Sequence, residues 1–350
     1  MKKIIAIVGA RPQFIKHAAI DIAFKTRFEL KTIHTGQHYD AQMSQIFFDQ
    51  LHISPPEYNL HIGSYSHSVQ TAKMMLALEP ILLSENPDAV LVYGDTNSTL
   101  AAALVACKLN KKIIHIESGL RSFNKTMPEE VNRILTDHVS HLLFAPTKQA
   151  VLNLKNEGIA AANVFLCPDV MADTILLAQK IIKTNLFQPY HFAYYYATIH
   201  RPSNTDDAPQ LHTILKSFNA LNLPVVLCTH PRTLQKMQNF GFATHDFPNI
   251  KFINPVDYFQ NVFLMQQSKA ILTDSGGMQK EAYMLQIKCV TLRTETEWTE
   301  TLHDGCNTLL ADRFELLPQL IQEPANHFIA DLYGKGDAAF QIANIITQRL

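Results

Sequence analysis

The chain has 350 residues, 47% of them hydrophobic and 17% charged, which is ample for sizeable cores and predicts two domains rather than one. A net charge of −1 gives no overall electrostatic footprint for nucleic acid or an anionic membrane, so neither is expected as a partner. No run of 18 apolar residues occurs, and no membrane span is predicted.

The first segment, MKKIIAIVGARPQFIK, superficially resembles a leader. Its apolar stretch runs only from Ile4 to Val8, however, with Gly9, Arg11 and Lys16 following, and a first buried strand explains it better. Further strand-like runs are IIAIVG (4–9), LKTIHTG (30–36), AVLVYGD (89–95), KIIHIES (112–118), HLLFAPT (141–147) and NVFLCPD (163–169). Helical patterns lie between them, for example at 66–84 and 97–109. A second series begins near 191 with HFAYYYATIH, LPVVLCTH, IKFINPV, KAILTDS and IKCVTLR. Apolar strands separated by helices predict parallel sheets covered on both faces. The expected class is therefore α/β, with two doubly wound, Rossmann-like domains whose parallel sheets face a cleft. Expected bounds are 1–172 and 173–332, with a helix over 333–350 packing back on the first domain.

Cys107, Cys167, Cys228, Cys289 and Cys306 form no CxxC pair, and four lie in or beside apolar segments. That pattern fits buried thiols in a reducing cytoplasm. Sixteen histidines include no HExxH and no paired Cys/His spacing, so no metal is expected. HIE at 115–117 opens like a zinc-deaminase signature, but no PCxxC follows.

Most strands end in reactive tips: GARPQFIK, TGQHYD, YGDTNST, IESGLRS, ATIHRPSN, THPRT, TDSGGMQKE and LRTETEWTE. Ligands of open α/β sheets gather at the carboxyl ends of strands, which is where these tips fall. Neither GxGxxG nor GxxxxGK[ST] occurs, which argues against a standard NAD turn and a Walker-type ATPase. Softer phosphate candidates are Gly9-Ala10-Arg11 after the first strand and Ser275-Gly276-Gly277 at a late helix start. For the glycine pair, a turn requiring positive φ is the plainer alternative. Among the acids, Asp95 reads equally as a helix cap, and Glu129 and Glu130 as first-turn acids facing a helix dipole. Glu117 ends an apolar strand, where a carboxylate needs a partner or a role. His200, at the end of an aromatic strand, suits proton transfer near neutral pH.

Taken in order, GARPQFIK, TGQHYD, VYGDTNSTLA, HIESGLRS, MPEEVNR, TDH, IHRPSNTDD, HPRT, LTDSGGMQKEA and LRTETEW make the chain resemble the non-hydrolysing UDP-N-acetylglucosamine 2-epimerases, whose architecture is GT-B-like. The resemblance spans essentially the whole chain. It implies inversion at carbon 2 of a UDP-linked N-acetyl sugar without a cofactor, in a homodimer that serves surface polysaccharide synthesis. It carries Asp95, Glu117, Glu129 and His200 into the catalytic group. It places Arg11, Lys16, Arg133, Ser275, Gly276 and Gly277 on phosphate and active-site contacts, and Glu281 on the ribose hydroxyls. Epimerases of modified sugars, such as UDP-2,3-diacetamido-2,3-dideoxy-glucuronate, share the same flavour. A GT-B glycosyltransferase, a hydrolysing epimerase and a sugar-nucleotide sensor are the other readings. Two stretches depart from the family pattern. Pro168-Asp169 replaces a common glycine-led pair, and YGKGDA at 333–338 exchanges an acid and a base.

Overall fold

A computed structural model describes residues 1–37, 53–184, 187, 188 and 190–350. The chain divides into two units, Met1–Leu176 with Leu332–Leu350, and Leu177–Asp331.

In the first unit, β1 (Lys3–Val8), β2 (Glu29–His34), β3 (Tyr58–Asn59), β4 (Ala89–Tyr93), β5 (Lys112–Ile116), β6 (Leu142–Ala145) and β7 (Val164–Leu166) form one sheet in the order β3-β2-β1-β4-β5-β6-β7. Every pairing is parallel. The chain builds outward from β1 on one side and then resumes at β4 on the other, so the β1/β4 boundary is a topological switch point. Burial on both faces explains the continuous apolar runs, as in β4, where all five side chains are buried. Ile5, Ile7, Val90 and Val92 pack against Met74, Leu78 and Leu82 of the helix His67–Glu85 and against Ala101, Ala102 and Ala106 of the helix Asn97–Lys108. Each fully buried Leu, Ile or Met contributes roughly 1.5–3 kcal/mol relative to exposure.

The second unit repeats the logic. Strands β8 (Tyr195–Thr198), β9 (Val225–Cys228), β10 (Ile250–Ile253), β11 (Ile271–Thr273), β12 (Cys289–Thr291) and β13 (Asn307–Leu309) are ordered β10-β9-β8-β11-β12-β13, again all parallel. Its switch point lies between β8 and β11. Leu211, Ile214, Leu215 and Phe218 recur at helical spacing on Ala208–Asn219 and close the core over Tyr195 and Ala197.

Several strands stop short of their apolar runs. β4 ends at Tyr93 because Gly94 turns the chain out at φ +60°, and this frees Asp95 from the ladder. Sequence reading also missed β3 and β13, which are two and three residues long and sit at sheet edges.

The final helix, Ala338–Arg349, packs on the helix Arg11–Phe24 through a buried face that includes Ile342, Ala343 and Ile346. Its first N–H groups, from Ala338 and Ala339, donate to the Asp173 carboxylate at 3.1 Å each. The two stretches that depart from the family pattern lie against each other. Asp169 N–H donates to the Tyr333 carbonyl at 2.9 Å, and a side chain at Gly334 (φ +108°) would collide with Pro168.

Candidate active site

Each unit concentrates reactive side chains at its own switch point. In the first, Gly9 follows β1 with no room for a side chain, since a Cβ would strike the hydroxyls of Thr35 and Ser98. The turn is filled by buried Gln13. Its Oε1 accepts from the N–H groups of Gly9 (2.8 Å) and Ala10 (3.1 Å), while Nε2 donates to the Tyr93 carbonyl (3.0 Å) and Thr99 Oγ1 (2.9 Å). These turn amides are already partnered within the chain, which weakens Gly9-Ala10 as a phosphate cradle. Arg11 opens the helix Arg11–Phe24, but its side chain lies outside the described residues, as do His38, Tyr39 and Asp40 of the TGQHYD tip.

Lys16 is buried and ion-pairs through Nζ with Glu117 Oε2. Glu117 leaves β5 with φ +69°, a left-handed conformation that is uncommon for a residue with a side chain. Gly94 sits beside this pair. A Cβ there would lie 3.1 Å from Glu117 Oε2 and 3.6 Å from Lys16 Nζ, so both the space and the positive φ demand glycine. Glu117 thus has the ionic partner its burial requires.

Asp95 is not a helix cap. Thr96 takes that role, its hydroxyl accepting the Thr99 N–H. The Asp95 carboxylate instead pairs with Arg133, whose other nitrogen reaches Glu130 Oε2 at 3.2 Å. The helix Pro128–Val139 presents Glu130, Arg133 and Asp137 along one buried face. Glu130 also accepts the N–H groups of Ser122 (3.0 Å) and Phe123 (2.9 Å). Glu129 is exposed in the first turn of this helix, where it complements the dipole, and it makes no side-chain bond to a described residue.

In the second unit, His200 follows β8 and Asp274 follows β11. Asp274 is fully buried and gathers four donors: His200 Nδ1 (3.0 Å), the N–H groups of His200 (3.0 Å) and Arg201 (2.9 Å), and Asn204 Nδ2 (3.0 Å). Burial alone would raise its pKa. The bond and charge of His200 and the bonds from Arg201 and Asn204 outweigh this and hold the carboxyl at about 2. With Nδ1 engaged, the half-exposed ring presents Nε2.

Ser275 caps the helix Gly276–Met284 through Met278 N–H at 3.5 Å. Neither Gly276 nor Gly277 has positive φ, so the turn-strain explanation for the glycine pair fails. A Cβ on Gly276 would strike Glu297. A Cβ on Gly277 would meet only Ser275 Oγ, at 3.9 Å, which leaves exposed free space above a helix start. The first-turn N–H groups of a helix have no partner within it and carry positive dipole. Cations surround this end. Arg201 Nε donates to the Asp274 carbonyl at 3.0 Å, and buried Arg293 lies 3.0 Å from Glu297. Burial, with Arg201 nearby, lowers the Arg293 pKa. Buried Lys280 lies over the Trp298 ring, 3.8 Å from its centroid. Glu281 is buried on the same helix, beyond its first turn.

The family model described as UDP-N-acetylglucosamine 2-epimerase matches residues 21–347. A UDP-N-acetylglucosamine 2-epimerase homolog of Methanococcus maripaludis is 47% identical, with 98% of this chain and 99% of the relative covered. This chain belongs to the UDP-N-acetylglucosamine 2-epimerase family. A UDP-2,3-diacetamido-2,3-dideoxy-D-glucuronate 2-epimerase of Pseudomonas aeruginosa is 43% identical over 99% of both chains. The crystal structure of Methanocaldococcus jannaschii UDP-GlcNAc 2-epimerase in complex with UDP-GlcNAc and UDP superposes with a TM-score of 0.93 at 38% identity, covering 99% of each chain. Such epimerases are isomerases, and two Rossmann-like units with parallel sheets are the fold these comparisons support.

Within this epimerase-family chain, Asp95, Glu117, Lys16 and Arg133 come together as two acid–base pairs in the first unit. His200, Ser275, Gly276, Gly277 and Glu281 cluster in the second. Sequence reading passed over Asp274 and Gln13, and read Glu130 only as a first-turn acid. The signal for Asp274 was present, an aspartate between an apolar strand and Ser-Gly-Gly. Among the described residues, no group of three or more His, Cys, Asp or Glu is placed to hold a metal ion, and no helix is long and apolar enough to cross a membrane.

Proposed function

We propose that this chain is a non-hydrolysing UDP-N-acetylglucosamine 2-epimerase, interconverting UDP-N-acetylglucosamine and UDP-N-acetylmannosamine by elimination and re-addition of UDP. The observation that carries this reading is the buried Lys16–Glu117 pair against Gly94, the residue before Asp95, at the carboxyl ends of β4 and β5.

The proton on carbon 2 adjoins an acetal rather than a carbonyl and is barely acidic. Departure of UDP with the C1–O electron pair leaves positive charge at carbon 1. The C2–H electrons then form the C1=C2 bond of a 2-acetamidoglucal while a carboxylate takes the proton. Re-addition of UDP, with a proton delivered to the opposite face, gives the epimer. Three carboxylates, two of them paired with a neighbouring cation, suit proton transfer on two faces and stabilisation of the cationic state. Asp95, Glu117 and Glu129 form this group. His200, oriented by Asp274, meets the diphosphate or glycosidic oxygen. Ser275, Gly276 and Gly277 cradle the diphosphate, with Arg11, Lys16 and Arg133 as further contacts, and Glu281 takes the ribose hydroxyls.

The enzyme works without a cofactor in the cytoplasm, supplying surface polysaccharide precursors. It acts as a homodimer, and the helix His67–Glu85 leaves Val69, Leu76 and Leu83 exposed on one stripe for a second copy to cover. A modified-sugar substrate such as UDP-2,3-diacetamido-2,3-dideoxy-glucuronate is the second reading, supported by the 43% identity to the Pseudomonas aeruginosa epimerase. Incubation in deuterium oxide with a panel of UDP-sugars and no acceptor tests both. Deuterium at carbon 2, without net release of UDP, identifies an epimerase and its preferred sugar. A glycosyltransferase or a sensor would leave carbon 2 unlabelled, and accumulating free N-acetylmannosamine would point to a hydrolysing enzyme.

A further inference from the structure

His115 and Asp137 belong to the HIES and TDH stretches, and no step above uses them. Both are polar and almost completely buried. His115 Nδ1 lies 2.7 Å from Asp137 Oδ1, and Nε2 lies 2.8 Å from the Gly94 carbonyl. The other Asp137 oxygen lies 2.8 Å from Arg121 Nη1 and accepts the Gly119 N–H at 3.1 Å. One carboxylate therefore grips the chain at 115, 119 and 121, on both sides of Glu117. Arg121 is anchored further by a bidentate pair with Glu157, at 2.7 and 2.6 Å.

Glu117 requires such a grip. A left-handed backbone at a residue with a side chain is disfavoured and persists only where the surroundings over-determine it. The next positive-φ residue, Gly119, has no room for a Cβ against the Ala150 carbonyl, so the whole turn is fixed in shape. The β4 tip is tied to the same turn, since Gly94 N–H donates to the Ile116 carbonyl at 3.0 Å while Gly94 O accepts from His115.

The ring charge follows from its partners. A carbonyl oxygen only accepts, so Nε2 carries a proton. The carboxylate facing Nδ1 is an acceptor as well, so Nδ1 carries the other. Burial would raise the Asp137 pKa, but the charge and bond of His115, together with Arg121, bring it below the ordinary range.

We propose that Asp137, acting through His115 and Arg121, is a positioning residue that holds Glu117 in its left-handed conformation for proton transfer, with the His115 ring protonated at both nitrogens. This rests on the reading that Glu117 moves the carbon 2 proton.

Asp137→Asn keeps the shape and removes the charge. The test compares deuterium uptake at carbon 2, KM, UDP affinity by calorimetry and the thermal midpoint with wild type. Nitrogen NMR of the His115 ring accompanies it, and in the wild-type chain this measurement needs no substitution. The expected result is kcat lowered about 10- to 100-fold, the range seen when an outer residue orienting a working group is lost. KM and UDP affinity should stay within about twofold, and the ring should be doubly protonated in wild type but neutral in the variant. Turnover within about twofold of wild type, or a neutral His115 ring in the wild-type chain, overturns the proposal. So does a loss of turnover matched by an equal loss of UDP affinity. Wild-type protein that binds UDP yet takes up no deuterium overturns the functional reading instead, while the ring signal still reports on the clamp.

Discussion

The two switch points are topological twins with opposite chemistry. Around β1/β4 two acids are matched with cations, buried Glu117 with Lys16 and part-exposed Asp95 with Arg133. At β8/β11 buried Asp274 is consumed by internal donors, beside a helix start and a half-exposed histidine. On the proposed reading, the first arrangement moves protons and the second holds an anion. The same kind of parallel sheet serves both, because the difference lies in side chains of the turns and helices that follow the strands.

The sharpest way to break this contrast is to neutralise the acids of the first unit. Glu117→Gln, Asp95→Asn and Glu129→Gln are each expected to lower turnover by at least about 100-fold, within the usual 10²–10⁴ range for acid–base groups, as read by deuterium uptake at carbon 2. UDP affinity, measured by calorimetry, should hardly change. Near-normal turnover in all three would remove proton transfer from this cluster. Exposed Glu129 adds a separate check, since its substitution should leave stability within about 0.5 kcal/mol.

A smaller effect is expected from Asp274. Its folded pKa of about 2 lies below the ordinary value of 3.8, so its contribution is present above that value and fades as pH falls toward 2. Asp274→Asn should therefore lower unfolding free energy by about 2 kcal/mol at neutral pH, and the gap to wild type should close in acid denaturation between roughly pH 4 and pH 2. A gap independent of pH would show that the carboxylate charge is not what stabilises the His200 and Arg201 turn.

The mildest change is Gly277→Ala. The space above it is free of protein atoms, so the melting temperature should stay put while UDP affinity falls about tenfold through obstruction of the diphosphate, a loss of about 1.4 kcal/mol. Gly276→Ala should instead displace Glu297 and lower the melting temperature, because its Cβ has nowhere to go. Equal UDP affinity in Gly277→Ala and wild type would move the anion elsewhere.

Much of this was legible in advance. Parallel sheets followed from unbroken apolar runs such as AVLVY, and strand ends marked both clusters. What stayed hidden depends on long-range pairing. No local pattern says that Lys16 reaches a residue 101 positions away, or that Gln13 fills a turn otherwise suited to phosphate. Asp95 looked like a cap because Thr96 beside it can cap equally well. Glu129 and Glu130 are indistinguishable as letters, and only helix phase decides that Glu130 faces inward.

The contact between Pro168 and Gly334 has a consequence for how the chain is assembled. Departure into the second unit and return from it are stitched at one spot, through Asp169 with Tyr333, Asp173 with Ala338, and Leu176 under Gly336. The segment Leu177–Asp331 is thus threaded into its host like a guest module whose two ends exit side by side. A brief artificial loop joining Leu176 to Leu332 would close the host over the excision, and a side chain at residue 334 would fit only with a smaller residue at 168.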